Sequence, residues 1–241
     1  MDLEYDALAS RIDHALLHPT LDLGAFEAGI ELAKAYQVAS VCIVPHYVRR
    51  ARDGLAESGV KPSTTIGFPH GGHTTALKAR EAEVAIADGA EELDMVINLN
   101  RVLGGDWDYV RTDIAAVLAV SRGSGKKLKV IFENCYLEAS HKLRLCELSA
   151  ELGADWVKTS TGFGSGGATL DDVRLMREHS PPEVGVKASG GIADLADVLR
   201  LEQYVTRLGT SRTAAILDAW RERLGLAPIA RSLRLAPSAG Y

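Results

Sequence analysis

The strongest constraint on the fold of this chain is an alternation. Short runs rich in β-branched and other apolar residues recur eight times, and each is followed by a stretch with the period of an amphipathic helix. The runs fall at Ile12 to Leu16, Ser40 to Val44, Thr64 to Phe68, Leu93 to Ile97, Lys129 to Glu133, Trp156 to Lys158, Val184 to Lys187 and Tyr204 to Leu208. The helical stretches are Leu23 to Tyr36, Tyr47 to Glu57, Thr74 to Asp88, Trp107 to Ser121, Ser140 to Leu152, Thr169 to His179, Ala193 to Leu201 and Thr210 to Leu224. Gly89 and Gly153 stand just past two of them, where a left-handed residue closes a helix. Strands separated by helices build parallel βαβ units. Eight such units in 241 residues, with no linker or low-complexity tract, fit an α/β fold: a single (β/α)8 TIM-barrel domain over 1–241, with a flexible tail at 233–241. An open doubly wound sheet is the competing architecture, but it usually has fewer strands and a Gly-rich turn after the first.

Barrel chemistry sits at the C-terminal ends of the strands. That rule selects Asp13 and His14 on the first strand, Cys42 on the second, Asp94 on the fourth, Glu133 and Asn134 after the fifth, Lys158 on the sixth, Lys187 on the seventh and Gly209-Thr210-Ser211 after the eighth. The two lysines stand out, because an ammonium at the end of an apolar strand is costly to desolvate. Desolvation lowers the pKa of an amine, and a neutral amine can attack a carbonyl and form a Schiff base. Two ammoniums ~5.5 Å apart at an effective dielectric of ~20 repel by about 3 kcal/mol, which moves one of them from ~10.4 towards ~8. On these grounds either lysine can be the nucleophile. Asp94 is a carboxylate inside an apolar strand; it is expected to pair with a lysine and to move protons during carbinolamine dehydration.

The glycine-rich ends have a separate expected role. Gly190-Gly191, Gly209-Thr210-Ser211 and Thr161-Gly162 with Gly164-Ser165-Gly166-Gly167 fall where barrels bind phosphate through backbone N–H groups, and Arg212 can add charge. His14 with His18, and His70 with His73, lack a helical spacing and a paired ligand set, so no metal site is expected. Cys42, Cys135 and Cys146 are an odd number without metal spacing, and Cys42 reads as a small buried residue that can line the pocket. The net charge of -5, without a basic stripe, argues against nucleic acid as a partner. Met1 to Ser10 carries three acidic residues and no long apolar run, so neither a secretory signal nor a membrane anchor is expected, and the setting reads as cytoplasmic.

Six blocks in register resemble the deoxyribose-phosphate aldolase family. They are Ile12-Asp13-His14-Ala15-Leu16-Leu17, Thr65-Ile66-Gly67-Phe68-Pro69-His70-Gly71, Glu92-Leu93-Asp94-Met95-Val96-Ile97-Asn98, Val157-Lys158-Thr159-Ser160-Thr161-Gly162-Phe163, Val186-Lys187-Ala188-Ser189-Gly190-Gly191-Ile192 and Gly209-Thr210-Ser211. The resemblance implies a class I barrel aldolase that cleaves 2-deoxy-D-ribose 5-phosphate reversibly to acetaldehyde and D-glyceraldehyde 3-phosphate, with no metal or other cofactor. It implies Lys158 as the Schiff-base lysine, Lys187 as the lysine that tunes it and Asp94 as the proton-relay carboxylate. Thr161, Gly162, Gly190, Gly191, Gly209, Ser211, Cys42 and Asp13 then form the substrate and phosphate site. The implied partners are phosphorylated sugars, aldehydes and further copies of the chain, as a homodimer or higher homo-oligomer. Some members end in a tyrosine that folds over the site, so Tyr241 is the expected proton-transfer group for C2. Three departures from the pattern bear on substrate preference: Ala15 where Thr is expected, Val44 for Asn and Asn134 for Thr. A sister Schiff-base aldolase for another phosphorylated sugar, a non-catalytic sugar-phosphate-binding barrel and a histidine-based metal hydrolase are the competing functions.

Overall fold

Asp22, Thr74, Asp106 and Thr169 each turn a side-chain oxygen onto a backbone N–H in the first turn of the helix that follows, at 2.8, 3.4, 3.2 and 3.2 Å. These caps start four of the helices that the apolar periodicity predicts. At the other end Gly89 and Gly153 take left-handed φ values of +111° and +77°, as their positions imply. A computed structural model describes residues 4–230. The tail at 233–241, with Tyr241, lies outside the described residues.

The strands are β1 (Ile12–Leu16), β2 (Ser40–Ile43), β3 (Lys61–Ile66), β4 (Glu92–Val96), β5 (Lys127–Ile131), β6 (Trp156–Lys158), β7 (Gly185–Ser189) and β8 (Arg207–Thr210). They pair in parallel in chain order, and β8 closes onto β1 through Asp13 and Gly209. The helices are α1 (Tyr5–Ala9), α2 (Leu23–Tyr36), α3 (Val48–Gly54), α4 (Thr75–Asp88), α5 (Leu99–Leu103), α6 (Trp107–Gly123), α7 (Ala139–Leu152), α8 (Leu170–Glu178), α9 (Leu195–Leu201) and α10 (Thr213–Arg223). The (β/α)8 barrel is therefore present. Short α1 and α5 were not expected from periodicity, because five residues are too few to display it.

β2 ends one residue earlier than expected and β4 lies one residue earlier, and four strands need larger corrections. β3 begins and ends earlier than Thr64 to Phe68, and β5 earlier than Lys129 to Glu133; β8 lies later than Tyr204 to Leu208. In β7 the strand runs two residues past Lys187, so this lysine sits within the strand rather than at its end. One physical cause is shared. Side chains alternate across a strand, and here Ile12, Val41, Leu93, Val130, Val157, Val186 and Leu208 face the helices and form the hydrophobic core. The alternate positions, Asp13, Ser40, Ser63, Glu92, Asp94, Lys129, Lys158 and Lys187, point into the barrel and are buried. Barrel interiors are commonly filled by branched aliphatics. In this one the interior is polar, and the charges there must satisfy one another.

Candidate active site

Asp94 is the hub of that interior. It is fully buried on β4, and three lysines from three neighbouring strands converge on it. Lys158 Nζ donates to Oδ2 at 2.7 Å, Lys187 Nζ to the same oxygen at 2.8 Å and Lys129 Nζ to Oδ1 at 2.9 Å. Lys158 and Lys187 are register partners across β6 and β7, which brings their ammoniums to one oxygen. Cys42 Sγ, from β2, lies 4.0 Å from that oxygen and is buried.

Below the hub the ion pairs continue. Lys129 also meets Glu92 Oε2 at 2.6 Å, and Glu92 Oε1 meets Arg207 at 3.1 Å. Arg207 meets Asp13 Oδ1 at 2.6 Å, Asp13 Oδ2 meets Lys187 at 2.6 Å, and Lys187 returns to Asp94. Asp94, Lys129, Glu92, Arg207, Asp13 and Lys187 thus form a closed ring of alternating charge. Three carboxylates balance three cations. Lys158 is attached to the ring through Asp94 and, among the described residues, has no other carboxylate partner. Lys61 touches Glu92 at 3.7 Å from the lower mouth of the barrel, but its side chain is half exposed and screened by water.

The ring separates the two strand lysines. Burial pushes the Lys158 amine down; Asp94 opposes this, the Lys187 ammonium adds to it, and the result lies below the ordinary lysine value. Burial acts on Lys187 too, but Asp13 and Asp94 together outweigh it and hold Lys187 above the ordinary value. Lys129, with Asp94, Asp13 and Glu92 around it, is held higher in the same way. Burial disfavours the Asp94 and Asp13 anions, yet the surrounding cations keep both well below the usual carboxylate range. Repulsion by Lys187 is therefore real, but desolvation is the larger cause of the depressed Lys158 value.

Residues at the rim take several positions. Gly162, Gly191 and Ser211 are exposed around the mouth and Gly190 is half-buried, with φ of +88°, +81° and +75° at Gly162, Gly190 and Gly191. Arg212 is exposed beside Ser211. Gly209 has a different place. It lies in β8, and a Cβ there would come within 3.1 Å of Lys187 Cε and 2.9 Å of Ser189 Cβ, so its missing side chain leaves room for Lys187. Asp13 sits beneath Lys187 rather than at the mouth, with Ser40 Oγ donating to it at 2.8 Å. Thr161 is buried and turned sideways: its hydroxyl and its N–H both donate to Glu133, and Phe163 N–H donates to its Oγ1 at 3.0 Å. Ala15 and Val44 are half-buried, and Asn134 Nδ2 contacts Met176 Sδ at 3.3 Å, away from the hub. Lys129, Glu92 and Arg207 were not among the expected site residues. The signal for the first two was a charge at every second position, as in Glu92-Leu93-Asp94 and Lys127-Leu128-Lys129.

The histidines are dispersed. His73 bonds Glu81 at 2.8 Å on the surface, and His70 is exposed. His14 faces outward from β1 to α10, where Nδ1 lies 2.9 Å from Thr213 Oγ1. Burial lowers its pKa to about 4. The unfolded chain binds this proton near ~6.5 and the native chain only near 4, so stability must fall as pH falls. Between pH 7 and pH 5 we expect a loss of about 2 kcal/mol. Urea midpoints at the two pH values measure it, and a His14→Gln variant that keeps the same slope would refute the assignment.

Residues 8–219 match the family described as DeoC/LacD family aldolase. The deoxyribose-phosphate aldolase of Rhodopirellula baltica is 54% identical over 241 residues, covering 100% of this chain and 99% of that one. The deoxyribose-phosphate aldolase of Thermococcus gammatolerans is 45% identical over 217 residues, covering 89% and 96%. Among solved structures, the tetrameric deoxyribose phosphate aldolase of Aeropyrum pernix superposes with a TM-score of 0.84 at 30% identity, covering 91% of this chain and 93% of that one.

Proposed function

The chain belongs to the DeoC/LacD family of aldolases, and we propose that it cleaves 2-deoxy-D-ribose 5-phosphate reversibly to D-glyceraldehyde 3-phosphate and acetaldehyde, with Lys158 as the Schiff-base lysine. The observation that carries the residue assignment is the charge balance. With the ring neutral, Lys158 is the surplus buried cation and the one whose proton is lost at least cost. Lys187, held by two carboxylates, remains an ammonium.

Neutral Lys158 attacks C1 of the open-chain sugar and gives a carbinolamine. Asp94, bonded to both lysines, relays a proton to the departing hydroxyl, and water leaves as the iminium forms. Loss of the C3 hydroxyl proton then breaks the C2–C3 bond. Its electron pair moves into the iminium, giving an enamine and releasing glyceraldehyde 3-phosphate. Protonation at C2 and hydrolysis free acetaldehyde and regenerate the amine. The iminium places a new positive charge beside Asp94 where Lys158 had been neutral, and the carboxylate stabilises it as it develops. The phosphate is held at the mouth by the backbone of Gly162, Gly190 and Gly191 and by Ser211, with Arg212 adding positive charge. Asp13 and Gly209 support Lys187, one by charge and the other by leaving space. Thr161 shapes the Gly162 loop through Glu133.

The same reading places the enzyme in the cytoplasm as a homo-oligomer. The three cysteines are free thiols, which suits a reducing compartment; no described helix is long and apolar enough to cross a membrane.

Borohydride reduction with substrate, followed by peptide mass mapping, tests the assignment. The expected result is one covalent adduct, on Lys158. An adduct on Lys187, or none, overturns it. Deoxyribose 5-phosphate should be cleaved far faster than unphosphorylated deoxyribose; equal rates would remove the phosphate site from the account.

A further inference from the structure

The barrel places two charged residues at the starts of their strands, away from the strand ends that carry the rim, and links them to Lys158. Arg207 and Glu92 belong to the N-terminal portions of β8 and β4, and their side chains are 11% and 0% exposed. Arg207 bridges Asp13 from β1 and Glu92 from β4, and its guanidinium carbon lies 5.2 Å from the Trp156 ring of β6. Trp156 is held in turn: its Nε1 donates to Thr206 Oγ1 at 3.0 Å, and a Cβ at Gly185 would come within 2.2 Å of its ring. Glu92 is bracketed by Lys129 from β5 and Arg207, with exposed Lys61 from β3 at longer range. The groups facing Lys158 are Asp94 from β4, Lys187 from β7 and Cys42 from β2. No side chain of the far pair touches Lys158. The connection runs only through the ring.

We propose that Arg207 and Glu92 are positioning residues for the aldol chemistry: by completing the neutral ring beneath Asp94, they set the charge balance against which Lys158 gives up its proton. The proposal rests on Lys158 being the Schiff-base lysine. A buried charge added or removed in this interior is poorly screened, because water reaches it only at the two mouths. The sign follows from the ring. Removing the Glu92 charge leaves the interior more positive, and Lys158 should then deprotonate at lower pH. Removing the Arg207 charge leaves it more negative, and deprotonation should move to higher pH. The strand spacing puts β6 and β8 ~10 Å apart; at an effective dielectric of ~20 each single change should displace the profile by about one pH unit.

A purely structural role predicts something else. Loss of packing or of a hydrogen bond would lower activity at every pH, and it would do so in the same direction for either partner. Opposite displacements from two residues that touch each other are the signature of charge.

The experiment follows the rate of the borohydride-trapped adduct with deoxyribose 5-phosphate from pH 5 to pH 10, in the full chain and in Glu92→Gln, Arg207→Gln, the double variant and Arg207→Lys. The profile is expected to move down for Glu92→Gln, up for Arg207→Gln and back close to the parent for the double variant, while Arg207→Lys keeps the parent profile. Thermal melts accompany each variant. If Arg207→Gln does not fold, the downward shift of Glu92→Gln and the unmoved profile of Arg207→Lys still carry the proposal. Unmoved profiles in the folded single variants, or displacements of the same sign, overturn it. Absence of any adduct in the parent chain instead defeats the Lys158 assignment, so the two failures are distinguishable.

Discussion

Lys158→Met is expected to abolish aldol cleavage while leaving the protein at least as stable as before. Methionine has nearly the length of lysine and no amine, so no imine can form and borohydride should trap nothing. A nucleophile that forms a covalent intermediate is worth many orders of magnitude; we expect kcat to fall by roughly 10^4-fold or more. The stability half of the prediction comes from the ring. Asp94 keeps Lys129 and Lys187, the three carboxylates still face three cations, and what has gone is the surplus buried charge. Burying that charge costs free energy in the parent, so its removal should leave Tm unchanged or raise it by a few degrees. A coupled assay for glyceraldehyde 3-phosphate and a thermal melt check the two halves. Residual turnover above about one part in a thousand would remove Lys158 as nucleophile. Unfolding at neutral pH would mean that Lys158 is a structural cation and that the ring is not balanced without it.

What could be read in the chain beforehand follows the same polar interior. β1 and α2 were legible to the residue, because Ile12 to Leu16 is a short apolar-facing run, Asp22 caps the helix and Gln37 ends it in a left-handed conformation. β3 and β5 were placed too late for one reason. Their first residues, Lys61-Pro62-Ser63 and Lys127-Leu128, look like loop, yet Ser63 is already turned inward to a polar barrel. The apolar residues that drew the reading onward, around Gly67-Phe68, lie where the chain has already left the sheet, with Gly67 at φ +63° and its N–H held by Glu81 at 2.6 Å. Asp94, Lys158 and Lys187 were singled out because each is a charge set in an apolar strand, and the barrel brings the three together. Their geometry was not readable: the Arg207–Asp13 contact joins residues 194 apart in sequence, and only closure of the barrel brings β8 to β1. Without that closure, which also sets Asp13 against Lys187, the two lysines were equivalent on physical grounds. With it, Lys187 acquires a second carboxylate and Lys158 does not.

Asp94→Asn should be damaging in two separable ways, and their pH dependences differ. The substitution is nearly isosteric, but it removes the charge that Lys129, Lys158 and Lys187 all face. Breaking a buried pair in this way typically costs about 3 to 5 kcal/mol. The Asp94 carboxyl is held well below the ordinary range in the folded chain, so its stabilisation is fully present above the unfolded value of ~3.9 and is lost as pH falls through the folded value. The part of the variant's deficit that comes from the Asp94 carboxyl should therefore be constant from pH 8 to pH 5 and narrow only in stronger acid. Activity should behave otherwise. Without Asp94 the Lys158 ammonium loses the carboxylate it faces, and the neutral amine becomes available at lower pH. If amine availability limited the reaction, the variant would be faster than the parent near pH 5. If proton relay during carbinolamine dehydration limits it, kcat falls by about 10^2 to 10^4-fold at every pH despite the better nucleophile. We expect the second outcome. Single-turnover rates of imine formation across pH 5 to pH 9, set beside urea midpoints over the same range, distinguish the two; a variant that outpaces the parent in acid would leave Asp94 a charge partner and take the proton relay away from it.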